Sequence, residues 1–184
     1  SFEALGLDYR YLAFDVNEET LPTAVAGLKV LGARGFNLTM PDKNLMVSLC
    51  DELSTAARII GAVNTVVNED GRLVGHNTDG IGYMQSVKDA GYDIIGKKMT
   101  LLGAGGAATA ILVQAALDGL KEISVFVRPT SRFYDRLVHT VDELTEITDC
   151  RIKICDFSDA NLLKKELADS AILTNGTSVG MAPH

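Results

Sequence analysis

Small polar and charged side chains recur at the ends of apolar runs in the first half of this sequence. They are Asn37, Thr39 and Lys43 in GFNLTMPDKN, Asn64 and Thr65 in AVNT, and His76, Asn77, Thr78 and Asp79 in GHNTDG. Asparagine and threonine both donate to and accept from hydroxyl groups, so the clusters suit a polyhydroxylated ligand. In an open α/β sheet ligands bind beyond the carboxyl ends of the strands, where these clusters fall. Lys43 stands out. Thr39 reads as a helix N-cap and Pro41 as a first-turn residue, which would set the lysine against the positive end of a helix dipole. A cation so placed is either surface decoration or a group whose proton is used. Asp79 is either a cap for the helix that opens at Gly80 or a ligand. Asn64 and Asn77 have turn chemistry as their plain alternative. His76 has no visible partner, and histidine's record as an acid–base catalyst does not by itself give it a role. Asp42 is expected to face the helix N-terminus.

A second constellation lies in LLGAGGAATA, after an apolar strand and at the start of a helix. Gly103 permits a tight turn, and Gly105 lets the backbone approach a pyrophosphate. The helix then offers its free N–H groups to the anion, with Ala108 in place of the third glycine. The alternative is a purely structural glycine turn. At the end of the next strand, FVRPTSR carries Arg128, Thr130, Ser131 and Arg132 and no acid. An acid there would bind the ribose 2′-hydroxyl of NAD, whereas arginine suits the 2′-phosphate of NADP. The pattern favours NADP, with NAD, and solvated loop arginines, as the alternatives.

The elements that must position these residues alternate between β and α. In the first half, strands are expected at residues 9–14, 36–38, 62–68 and 72–76, with a hairpin turn at Glu69-Asp70-Gly71. Helices are expected at 18–31, 40–49, 54–60 and 80–90. From residue 98 the spacing tightens into strands at 99–102, 122–127, 151–155 and 171–174, and helices at 107–117, 133–145 and 162–168. This is an α/β pattern, with a doubly wound parallel sheet in the second half. The weakest periodicity lies between residues 90 and 97, which gives an expected division into domains 1–92 and 93–184. The 184 residues are 47% hydrophobic and 22% charged, with a net charge of −7 spread along the chain. No basic face is offered to nucleic acid or anionic lipid, so a small-molecule partner is expected. There is no membrane-length apolar run and no leader, and Cys50, Cys150 and Cys155 lack metal-ligand spacing. The expectation is a cytoplasmic protein with reduced thiols and no metal. The oligomeric state is not legible.

The motifs G-F-N-L-T-M-P-D-K, G-A-V-N-T, G-H-N-T-D-G-I-G, L-L-G-A-G-G-A and T-N-G-T-S-V-G-M follow one another at spacings that together resemble the shikimate dehydrogenase family, including its shikimate/quinate branch. The resemblance implies a substrate domain followed by a Rossmann-type cofactor domain. It also implies reversible hydride transfer between a nicotinamide cofactor and a cyclohexene or cyclohexane polyol acid, 3-dehydroshikimate being reduced to shikimate. By position, Lys43 matches the family's catalytic lysine and Asp79 its partner aspartate. Thr39, Lys43, Asn64 and Asp79 match substrate-holding positions. Gly103, Ala104, Gly105, Gly106 and Ala107 match the pyrophosphate loop, and Arg128, Thr130 and Arg132 an NADP-reading stretch in which Val127 and Pro129 replace Asn and Thr. Residues 174–181 resemble a loop near the nicotinamide. The family also has an N-terminal strand with a Ser-x-Ser loop and a closing C-terminal segment, neither of which lies within these 184 residues, so a portion of a longer chain is expected. Two rival readings remain: a folate-linked dehydrogenase, and a regulatory domain that binds shikimate or quinate without turning it over.

Overall fold

In the computed structural model, which describes residues 2–180, the chain builds two four-stranded sheets. The first contains β1 (Gly35–Asn37), β2 (Glu52–Leu53), β3 (Thr65–Glu69) and β4 (Arg72–His76) in the order β1-β3-β4-β2. β3 and β4 form the expected hairpin, closed by Asp70 and Gly71, both at positive φ. The Asn68 side chain accepts from the Gly71 N–H at 2.8 Å, which supports the left-handed turn that Asp-Gly favours. β1 joins antiparallel to β3, and β2 joins parallel to β4, so this sheet is mixed. Its helices are α1 (Leu21–Val30), α2 (Thr55–Ile60) and α3 (Asp79–Asp89). Ser54 caps α2 by accepting from the Ala57 N–H.

The second sheet is parallel throughout and follows the Rossmann pattern. Its strands β5 (Lys98–Leu102), β6 (Glu122–Val127), β7 (Arg151–Asp156) and β8 (Ile172–Asn175) run in the order β7-β6-β5-β8. The crossovers are α4 (Gly106–Leu117), α5 (Tyr134–Ile147) and α6 (Ala160–Ala168). Every residue of β6 is buried, which is why its sequence shows no alternation. The chain winds outward from β5 in one direction to β6 and β7 and then returns to β8 on the other side. That reversal leaves a crevice at the carboxyl ends of β5 and β8.

The two halves share apolar surface. Ala56, Ile59, Ile60, Met84 and Val87 bury into the same cluster as the core of the second sheet. Arg136 of α5 donates to the Ile60 carbonyl, and Arg58 pairs with Glu143. The closest approach is at Gly80, where an added Cβ would lie 2.3 Å from the Ala110 carbonyl oxygen and 2.6 Å from Gln114 Cβ. Only glycine allows α3 to lie so near the backbone of α4.

Two expected elements differ. Residues 9–14 do not form a strand; all are exposed, and a groove of about 840 Å³ separates them from β1. No described strand lies beside them to accept a ladder, and extended backbone becomes a strand only by pairing. Residues 40–49 are not one helix. A turn over residues 40–44, with a cis Met40-Pro41 bond, leads into a short 3-10 helix at Leu45–Leu49. Pro41 and Thr39 therefore do not open an α-helix ahead of Lys43.

At the amino ends of β5, β6 and β7 an ion cluster closes the second sheet. Lys98 Nζ contacts Glu166 Oε2 and Asp169 Oδ1 at 2.6 Å each and Glu122 Oε1 at 3.3 Å. Lys153 and Arg151 complete Glu122, and the Ser124 hydroxyl donates to Glu166. Burial opposes the charge on Lys98, but Asp169, Glu166 and Glu122 outweigh it and hold its pKa up. The hydrogen bonds from Lys98 and Ser124 bring Glu166 down to about 2. A carboxyl depressed in the folded state stabilises above its unfolded pKa and loses that contribution as pH falls through the folded one. Stability should therefore decline as pH drops from about 4.5 towards 2, and urea midpoints of Glu166→Gln should decline less over that window; a parallel decline would place the acid sensitivity elsewhere. Gly80→Ala should cost about 1–3 kcal/mol by overpacking, read as a lower melting temperature; an unchanged one would show that α3 and α4 separate freely.

Candidate active site

Lys43 and Asp79 are 36 residues apart in sequence and meet, with Lys43 Nζ 2.9 Å from Asp79 Oδ2. The turn that carries Lys43 is anchored through its backbone, because the Val63 N–H donates to the Lys43 carbonyl at 2.8 Å. Asp79 is the first residue of α3, yet its carboxylate does not cap the helix. One oxygen takes Lys43 and the other accepts from Asn64 Nδ2 at 2.8 Å. The capping alternative for Asp79 is thus set aside by geometry. Lys43 is 22% exposed and Asp79 43% exposed at the side chain. A pair so open contributes about 0–1 kcal/mol to stability, so its worth to the fold is small.

Two buried asparagines hold the pair. Asn64 Oδ1 accepts from the Thr78 N–H at 2.9 Å and from the Thr65 and Thr78 hydroxyls. Asn77 is 3% exposed; its Nδ2 donates to the Ala62 carbonyl at 3.1 Å, while its Oδ1 accepts from the Asp79 N–H at 3.1 Å. Asn64 therefore fixes the carboxylate of Asp79 and Asn77 fixes its backbone. The sequence offers Asn77 both as a member of a polar cluster and as a turn residue, without a role toward Asp79. The signal was its place two residues before an acid that opens a helix, but its partner at Ala62 is visible only in the fold. Thr39 is not joined to the pair. It is exposed on the rim of the groove beside β1, near Asn37, Asp42 and Thr65. Asp42 is 8% exposed, and its Oδ1 has no hydrogen-bond partner among the described residues.

The glycine-rich turn lies where β5 passes into α4. Gly103 has φ 99°, and an added Cβ would meet Thr177 Cγ2 at 2.9 Å, so the turn is shaped for glycine on both counts. Ala104 is buried and Ala107 exposed. Gly105 is the N-cap of α4 with no side-chain cap, and at Gly106 an added Cβ would meet nothing within 4 Å. The opening N–H groups of α4 are therefore uncapped beside open backbone, a cradle that fits the pyrophosphate of a dinucleotide. The end of β8 closes on the same helix: at Gly176 an added Cβ would lie 2.7 Å from Ala108 Cβ. Arg128, Thr130 and Arg132 follow β6 as exposed residues, and neither arginine has an ion pair among the described residues. The Tyr83 hydroxyl of α3 hydrogen-bonds the Thr174 hydroxyl at the end of β8, a second tie across the crevice that sequence reading missed. Burial raises the Tyr83 pKa and the Thr174 bond lowers it, for a net rise. In the segment 174–181, Met181 lies outside the described residues. The cysteines are free; burial pushes Cys150 up to about 11, and Cys50, half-buried rather than buried, also to about 11.

Comparison with known proteins gives this geometry its relatives. Residues 1–66 match the family described as the shikimate dehydrogenase substrate binding domain. Over 183 residues, all of this chain, the sequence is 54% identical to the shikimate dehydrogenase (NADP(+)) of Listeria monocytogenes and spans 62% of its length. The crystal structure of shikimate 5-dehydrogenase from Listeria monocytogenes, in complex with shikimate and NAD, superposes with a TM-score of 0.94 at 54% identity. That match covers 99% of this chain and 63% of the other. The ligand-free 5-ketofructose reductase of Gluconobacter sp. strain CHM43 superposes at 0.84 with 34% identity, covering 99% and 63%. A lysine–aspartate pair on a mixed sheet, set against a parallel sheet with a glycine turn, and whole-chain identity of this degree agree: along its length this chain is similar to shikimate dehydrogenases, of which it spans 62%.

Proposed function

We propose that the protein carrying this chain catalyses the reversible NADP-dependent reduction of 3-dehydroshikimate to shikimate. In this reading residues 1–92 bind the substrate and residues 93–184 the cofactor. The observation that carries it is the network of Lys43, Asp79 and Asn64, held at the start of the helix that packs on α4, whose first turn is the dinucleotide cradle. With a dinucleotide held at that cradle, its nicotinamide would supply the hydride. Gly103, Ala104, Gly105, Gly106 and Ala107 would hold the pyrophosphate, and Arg128, Thr130 and Arg132 the 2′-phosphate. Thr39, Asn64 and Asp79 would bind substrate hydroxyls.

Reduction of a ketone leaves charge on oxygen, which needs a proton or a cation. Lys43 provides both from one Nζ: it stabilises the alkoxide as it forms and gives it a proton, and it takes the proton back in the oxidative direction. Asp79 keeps the ammonium on station through one oxygen while Asn64 holds the other, so the lysine is oriented before substrate arrives. An NAD-dependent quinate/shikimate dehydrogenase is the runner-up; the absence of an acid after β6 supports NADP instead. A non-catalytic shikimate binder is disfavoured by the intact lysine–aspartate pair. No described helix is long and apolar enough to cross a membrane, and we place the protein in the cytoplasm.

Reduced-nicotinamide absorbance, recorded on the full-length protein with shikimate and quinate against NADP and NAD, should show turnover with shikimate and NADP foremost. Absence of turnover with every pair would overturn the reading. Lys43→Ala should lower kcat by about 10²–10⁴-fold with a much smaller change in KM. Asp79→Asn should lower kcat and raise KM together, because it loses both lysine positioning and a substrate contact. Normal turnover in Lys43→Ala would remove the lysine from the chemistry.

A further inference from the structure

The loop between β6 and α5 holds its two arginines differently. Arg132 lies with its guanidinium carbon 4.7 Å from the centroid of the Phe133 ring. That ring is half-buried and packs on the core of the second sheet. Its Cε2 is also the heavy atom that a Cβ on Gly105 would meet, at 4.0 Å. One aromatic ring thus borders the glycine turn and carries an arginine of the adjacent loop. The loop is closed on itself, the Ser131 N–H donating to the Arg128 carbonyl at 2.9 Å and the Ser131 hydroxyl accepting from the Phe133 N–H at 3.3 Å. The Tyr134 N–H donates to the Ser131 carbonyl at 3.0 Å as α5 begins.

A free arginine side chain samples many rotamers and must surrender them to bind a ligand. Holding the guanidinium over an aromatic ring limits that freedom beforehand, while N–H donors not turned toward the ring stay available to a ligand. We propose that Phe133 is a positioning residue for cofactor choice: it holds Arg132 beside the glycine turn, ready for the 2′-phosphate of the adenine dinucleotide. This rests on the NADP reading above. Phe133 touches no reacting atom and acts through Arg132. It therefore affects the ligand that carries a 2′-phosphate and spares the one that lacks it.

The test is calorimetric binding of adenosine 2′,5′-bisphosphate and of AMP to the full-length protein and to Phe133→Leu, Phe133→Tyr, Arg132→Gln and the Phe133→Leu/Arg132→Gln double variant. Phe133→Leu should weaken the bisphosphate by about threefold to tenfold and leave AMP unchanged, and Phe133→Tyr should retain the wild-type preference. On the Arg132→Gln background Phe133→Leu should have no further effect. Phe133→Met, with more core contact, carries the same expectation, and thermal melting checks that each variant folds. Equal loss for both ligands, or an undiminished loss on the Arg132→Gln background, would reduce Phe133 to a packing role. A preference for the bisphosphate that Phe133→Leu leaves undiminished would overturn this inference alone. Equal wild-type affinity for the two ligands would overturn the NADP reading and this inference with it.

Discussion

The backbone contact between α3 and α4 at Gly80 governs how this fold places Lys43 and Asp79 relative to the glycine turn. α3 begins at Asp79, and α4 begins at the glycine turn. With no side chain of its own at Gly80, α3 approaches the backbone of α4 closely there and is held at that distance. Asp79, which pairs with Lys43, thus sits one residue from the contact, and the uncapped start of α4 sits one turn from it. Gly176 repeats the device from the other side, bringing the end of β8 onto Ala108. A methyl group at Gly80 would move Lys43 and Asp79 relative to the glycine turn, and one at Gly176 would move the end of β8 relative to it, so both glycines act on the arrangement from outside it.

Around that contact the polar groups are arranged in depth. The lysine and aspartate are open to solvent and contribute little to folding, whereas the asparagines behind them are buried and satisfied. An unpaired buried amide costs about 1–3 kcal/mol, so Asn64 and Asn77 have one comfortable arrangement each, and it is the arrangement that aims Asp79. The exposed pair is left free to exchange its mutual contact for contacts with an incoming polar group.

Much of this was legible in the sequence where local physics decides. The bounds of β4 and β6 were readable because a Gly-punctuated hairpin and a fully apolar run admit few alternatives. Lys43, Asn64 and Asp79 were readable as polar residues ending apolar runs. The segment 9–14 was misread because its composition favours a strand while no described neighbour pairs with it, and pairing is not a local property. The turn at residues 40–44 was misread because threonine and proline signal a helix start as readily as they signal a turn. The role of Asn77 and the contact of Tyr83 with Thr174 are not legible because their partners lie 15 and 91 residues away.

The ion cluster around Lys98 occupies the opposite rim of the parallel sheet from the glycine turn. A strand of five residues separates them, roughly 16 Å at about 3.3 Å per residue. Free-energy changes at sites that far apart, with no shared partner, add rather than interfere. Durability and chemistry are therefore independent quantities in this sheet. Changes made at the ionic rim to toughen the protein combine with changes made at the glycine rim to alter its cofactor, and the double variant can be forecast from the two singles.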